Sequence, residues 1–159
     1  MSFEDWIFAL HVLGAATLVG GLVMSWIVVF AFRSVEDAQS TLSLNRVAMV
    51  GSAAVIAGLV LALGFGIWLA ILRVAFHPWD GWVIAAIILW GIATALILRS
   101  FAEYSKPVKK ARALIAGGDN GPNAELRALN RTSRGLVLRA LASAAIVLIV
   151  VDMIYKPGA

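Results

Sequence analysis

The chain has 159 residues, 62% of them hydrophobic and 14% charged, with no cysteine and a formal net charge of +4. Soluble domains carry roughly a quarter charged residues, so this composition, with a mean hydropathy of +0.93, excludes a water-soluble globular protein and indicates an integral membrane protein. The missing thiols exclude disulfides, iron–sulfur clusters and thiol chemistry, and basic residues crowding beside apolar runs speak of orientation in a bilayer rather than of nucleic acid.

The first apolar stretch, Trp6 to Phe32, holds no formal charge apart from any proton on His11. At ~1.5 Å per residue it is long enough to cross a ~30 Å hydrocarbon core. It is too long, and its Glu4 and Asp5 flank too acidic, for a cleavable signal peptide. At about 100° per residue, His11, Gly14, Leu18, Gly21 and Ser25 share one narrow face, small and polar in a bulky helix, which is therefore expected to meet other helices. A polar loop, SVEDAQSTLSLN, leads to a second span over residues 47–72, in which Ala54, Gly58, Ala62 and Gly66 form a small-residue ridge. The segment AFHPWDGW is expected to turn the chain, because Pro78 disfavours helix at His77. A third span follows over residues 82–98 and a fourth over 136–155. No alternating pattern suggests a β-barrel. The expected fold is thus all-α, a single domain forming an up-down-up-down four-helix transmembrane bundle.

Residues 99–134 form the one sizeable polar region. It holds two short amphipathic candidates, KPVKKARALIA and AELRALNRTSR, the second with Asn123 placed as an N-cap. Of the 13 Lys and Arg, only Arg73 and Lys156 lie on the side opposite this loop and the loop after span one. The positive-inside rule then puts 99–134 in the cytoplasm and both termini outside.

That topology gathers the chemically interesting residues at the outer end. His11 lies about a turn and a half inside the first span, where an imidazole is costly unless paired. Asp152 lies at similar depth in the fourth span, and first and fourth helices of such bundles are usually neighbours. A carboxylate fixing one imidazole nitrogen would free the other for a metal, for haem iron or for a proton. Lys156, four residues from Asp152 on one helix, is the competing partner for that carboxylate. His77, Met153 or Lys156 is the candidate second ligand if haem binds. Arg99 and Arg139, at the other end, are expected to snorkel to headgroups. The sequence contains no His-x-x-x-His, Cys-x-x-Cys, phosphate loop or serine elbow.

The run ALHVLGAATLVGG, the PW of the outer turn and the closing DMIYKP resemble a predicted four-span bacterial membrane family of unknown function. That family is distantly similar to copper-resistance D type membrane proteins and to the membrane protoporphyrinogen oxidases linked to haem. The resemblance covers most of the chain and implies a multi-pass protein of the bacterial plasma membrane, with His11 a special residue. It assigns no reaction.

Two functions compete, with a weaker third. The first is an outer-leaflet site binding haem b or a metal in a redox role, with His11 as ligand, Asp152 as its orienting partner and Lys156 and His77 as further cofactor-binding candidates. The second is a non-catalytic accessory or structural subunit whose basic cytoplasmic loop docks a protein partner or anionic lipid, or which forms a homo-oligomer through its helix faces or that loop. The third is proton-linked transport as an oligomer. Whether the protein is an enzyme is left open by the residues.

Overall fold

The computed structural model describes residues 2–72 and 79–155. Within them the chain is all-helical: α1 (Phe3–Phe32), α2 (Ala38–Leu72), α3 (Gly81–Ala116), α4 (Ala124–Asn130) and α5 (Ser133–Tyr155). An isolated bridge between Asp37 and Pro122 is the nearest the described residues come to a strand. Four stretches are long and apolar enough to cross a membrane, the fourth running through α4 and α5. The surface they present is apolar, with Ile27, Phe30, Ile71 and Ile88 all more than half exposed. In water such a surface would be an aggregation hazard. Against lipid it needs no cover.

α1 packs chiefly on α2 and α3 chiefly on α5. The expected small face of α1 is the face that packs: Gly14, Leu18, Gly21 and Ser25 are buried, and His11 is half-buried beside them. The approach is close enough that glycine is obligatory at three points, Gly14, Gly21 and Gly58. A Cβ on Gly58 would lie 2.4 Å from the backbone nitrogen of Leu18, and one on Gly21 would lie 2.7 Å from that of Val55. The pairs close on a shared core built from Leu18, Val55, Leu59, Ala93, Ile97 and Ile146. α1 also reaches α5 directly, where the Trp26 indole donates to the Ser143 hydroxyl at 3.0 Å. In contrast to this interior use of small residues, the Gly91 and Ala95 pair of α3 faces outward.

Two of the expected spans extend well past their predicted limits. α2 starts at Ala38 rather than near 47, because Asp37 caps it: its Oδ1 accepts from the Ser40 backbone N–H at 2.7 Å. That bond holds the Asp37 carboxyl below the usual carboxylate range. Thr41 turns inward and returns its hydroxyl to the Asp37 carbonyl at 2.9 Å, so the polar run is helix and not loop. α3 runs on to Ala116 through Pro107, which removes one helical hydrogen bond without ending the helix. The segment KPVKKARALIA is therefore the continuation of span three. α5 begins at Ser133.

At ~1.5 Å per residue, α3 is about 54 Å long, against a bilayer of ~40–45 Å including headgroups. Its last turns, α4 and the first turns of α2 enclose a second, smaller core of Ala38, Ala111 and Leu126, with Leu42, Leu114 and Ile115 against it. Polar bonds fasten this cap. Asn123 caps α4 through the Leu126 N–H at 3.1 Å, and the Asn123 N–H donates to the Glu36 carbonyl at 2.9 Å. Arg33 and Arg131 exchange bonds, each side chain donating to the other's carbonyl. Glu36 takes ion pairs from Arg127 and Arg131.

Candidate functional site

The His11 end comes first, since the sequence draws attention to it. The His11 ring lies against α2, with Nδ1 2.8 Å from the Ala62 carbonyl oxygen. A carbonyl only accepts, so Nδ1 is the donor, and the neutral tautomer compatible with this bond has its lone pair on Nε2. Gly66 makes the space: a Cβ there would sit 3.0 Å from the ring's Cε1. Ala62 and Gly66, two members of the small-residue ridge, thus seat the imidazole. No hydrogen bond other than that to Ala62 joins His11 to the described residues.

His11 lines a cavity of about 100 Å³ together with Trp82, Trp90 and, from α5, Ile149, Val150 and Met153. Asp152 is not among the lining residues and forms no hydrogen bond to His11. Its Oδ2 is buried without a hydrogen-bond partner among the described residues. The structure therefore brings Met153, and not Asp152, to the cavity His11 lines. His77 and Lys156 lie outside the described residues. Sites for small organic ligands and cofactors run to ~300–1,000 Å³. The cavity beside His11 is smaller than that range. Among the described residues no three His, Cys, Asp or Glu converge as a metal cluster. The donors facing this cavity are one imidazole and one thioether.

The larger cavity is at the opposite, basic end. It measures about 530 Å³ and is walled by α1, α2, α3 and α5, with Arg139 at its inner side. Arg139 does not snorkel; it is 9% exposed. Its guanidinium carbon lies 5.4 Å from the centre of the Tyr104 ring, a cation–π contact. Nη2 donates weakly to the Ser100 hydroxyl at 3.4 Å. No carboxylate pairs with Arg139 among the described residues. Both Arg139 Nε and the Tyr104 hydroxyl are buried without a hydrogen-bond partner there. Gly135 leaves the room that the Tyr104 ring occupies, since a Cβ at 135 would lie 3.1 Å from it. At the rim, Lys109 and Arg112 are exposed and carry no ion pair among the described residues.

A family model described as "Predicted integral membrane protein (DUF2269)" matches residues 6–157. The chain belongs to this family. No curated protein and no solved structure matches it. Membership covers all four spans and the cap between them, and it agrees with the inside-out burial of the helices.

The Arg139 centre was missed because a basic residue near a span end reads by default as a snorkelling anchor. One signal was available. Gly135, Arg139, Ala142 and Ile146 recur at helical spacing and form the buried stripe of α5. An arginine inside such a stripe faces the bundle.

Proposed function

We propose that this protein is a small accessory bundle of the plasma membrane that engages an acidic protein partner through its basic cap. The observation that carries this reading is the second core of Ala38, Ala111 and Leu126, at the end where α3 outruns the bilayer. A loop that merely sets orientation needs no packed core and no interlocked Arg33–Arg131 bonds. The distribution of Lys and Arg supports a cytoplasmic cap. Arg46, Arg99, Lys109 and Arg112 are exposed there without ion pairs among the described residues, leaving positive charge for a partner.

The test is the double change Lys109→Glu with Arg112→Glu, followed by native electrophoresis of gently solubilised membranes at rising salt. The wild type is expected in a larger complex that dissociates as screening sets in. The double variant is expected to lose at least about 10-fold in association while circular dichroism stays unchanged. Identical mobility of the two proteins at every salt concentration overturns the docking reading.

A second reading is favoured by the lone pair on His11 Nε2. Histidines that ligate metals use the other ring nitrogen as His11 uses Nδ1, donating to a carbonyl that fixes the tautomer. Met153 on the same cavity adds a soft thioether donor. The resemblance to copper- and haem-linked membrane proteins supports the same reading. Oxidised and dithionite-reduced spectra, with metal analysis, of wild type and His11→Ala decide it. Metal bound near one equivalent and lost in the variant supports it. Equal metal content in both proteins, and no Soret band after added haem, removes it.

A further inference from the structure

We propose that the 530 Å³ cavity at the basic end binds an acidic membrane amphiphile, whose anionic head meets Arg139 and the Tyr104 hydroxyl. Four observations converge on this. A guanidinium withdrawn from water normally has a carboxylate beside it, because an unpaired buried charge is strongly unfavourable. Arg139 has none among the described residues, and its Nε hydrogen is unused. The Tyr104 hydroxyl, buried beside it on the same cavity, is a second donor without a hydrogen-bond partner there. Both residues line the cavity, and a buried charge with two unused donors beside it is the composition that binds a carboxylate or phosphate.

The walls identify the rest of the ligand. Val28, Val29, Phe32 and Ile56 are apolar and cannot satisfy a free, fully hydrated anion. The wall contributed by α2 includes Met49, Ala53 and Ile56, which are exposed on the lipid-facing side of the helix. Lys109 and Arg112 stand on the opposite, aqueous rim. A molecule with a tail toward lipid and an anionic head toward the basic end matches that polarity. The volume lies within the range of sites that hold small ligands. The cavity shares its rim cations Lys109 and Arg112 with the docking reading, but replacing the buried Arg139 leaves both in place, so the two readings fail separately.

The test is native mass spectrometry of delipidated, detergent-purified protein, titrated separately with oleate, phosphatidylglycerol, phosphatidylcholine and inorganic phosphate. The variants are Arg139→Gln, Tyr104→Phe and Ala48→Phe, the last placing bulk on the cavity wall, with exposed Lys106→Gln, away from the cavity, as control. Oleate and phosphatidylglycerol are expected to bind wild type and the control alike, and phosphatidylcholine and phosphate at least 10-fold more weakly. Arg139→Gln and Ala48→Phe are each expected to lose 10-fold or more, and Tyr104→Phe about 3-fold. If Arg139→Gln does not fold, Ala48→Phe carries the test, since it leaves every polar group in place. Equal binding of phosphatidylcholine, equal binding of inorganic phosphate, or full binding by Ala48→Phe each overturns the proposal.

Discussion

Gly58→Ala is expected to destabilise the bundle by about 3 kcal/mol, a large effect for one methyl group. The new Cβ would sit 2.4 Å from the Leu18 nitrogen and 2.6 Å from its Cα, atoms that cannot rotate away. α1 and α2 would have to separate along their whole contact, and the His11–Ala62 bond, about one turn further along α2, would stretch with them. Gly64→Ala is the matched control, because a Cβ there meets nothing within 4 Å. Alanine is also the better helix former, so the control is expected to be neutral or slightly stabilised. Unfolding midpoints in detergent for the two variants read the difference. Equal midpoints would mean that α1 and α2 do not approach as closely as described.

The second large effect is expected in the cap. Asn130 is 1% exposed, and its Nδ2 donates to the Val35 carbonyl at 3.2 Å and the Thr41 hydroxyl at 3.0 Å. Asn130→Leu removes both bonds and strands the Val35 carbonyl in an apolar setting. At roughly 1 kcal/mol for each bond, plus about 1 kcal/mol or more for the stranded acceptor, the cap loses about 3 kcal/mol. The membrane core does not depend on this side chain, so the loss is local. Cleavage by trypsin at Arg127 and Arg131 requires the cap to open, and the rate follows the open population. It is expected to rise about 100-fold, with the span helices still protected. An unchanged cleavage rate would mean that the cap is not a cooperative folded unit.

The sequence carried the membrane architecture plainly, because the physics is redundant there. Every span repeats the same length and hydropathy signal, and the stripe His11–Gly14–Leu18–Gly21–Ser25 marks the packed face of α1 by spacing alone. The helix limits were harder to read. Polar residues such as Ser40 and Thr41 look like loop until Asp37 is seen to cap them, and Pro107 looks like a start until the helix is seen to pass through it. Both features depend on partners distant in sequence, Asn130 over Thr41 and Leu126 over Ala111. The site residues divide the same way. His11 stood out as a polar atom in an apolar span, but its partner is a backbone carbonyl, and carbonyls leave no trace in the sequence. Pairing it with Asp152 relied on depth and on the first and fourth helices being neighbours, and neither fixes the facing of a helix. Arg139 was invisible for the opposite reason: an arginine near a span end is the commonplace case, and only its place on the buried stripe of α5 sets it apart.

The most direct test of the docking role is a photo-crosslink from the cap in intact cells. A benzophenone amino acid is placed at Arg112 on α3 and, as a control, at exposed Trp79 beyond the far end of the bundle. A discrete protein adduct from position 112 is expected, absent from position 79 and lost when Lys109→Glu is added. An adduct that survives Lys109→Glu unchanged, or crosslinks from position 112 to lipid alone, would contradict a cap built to hold an acidic partner.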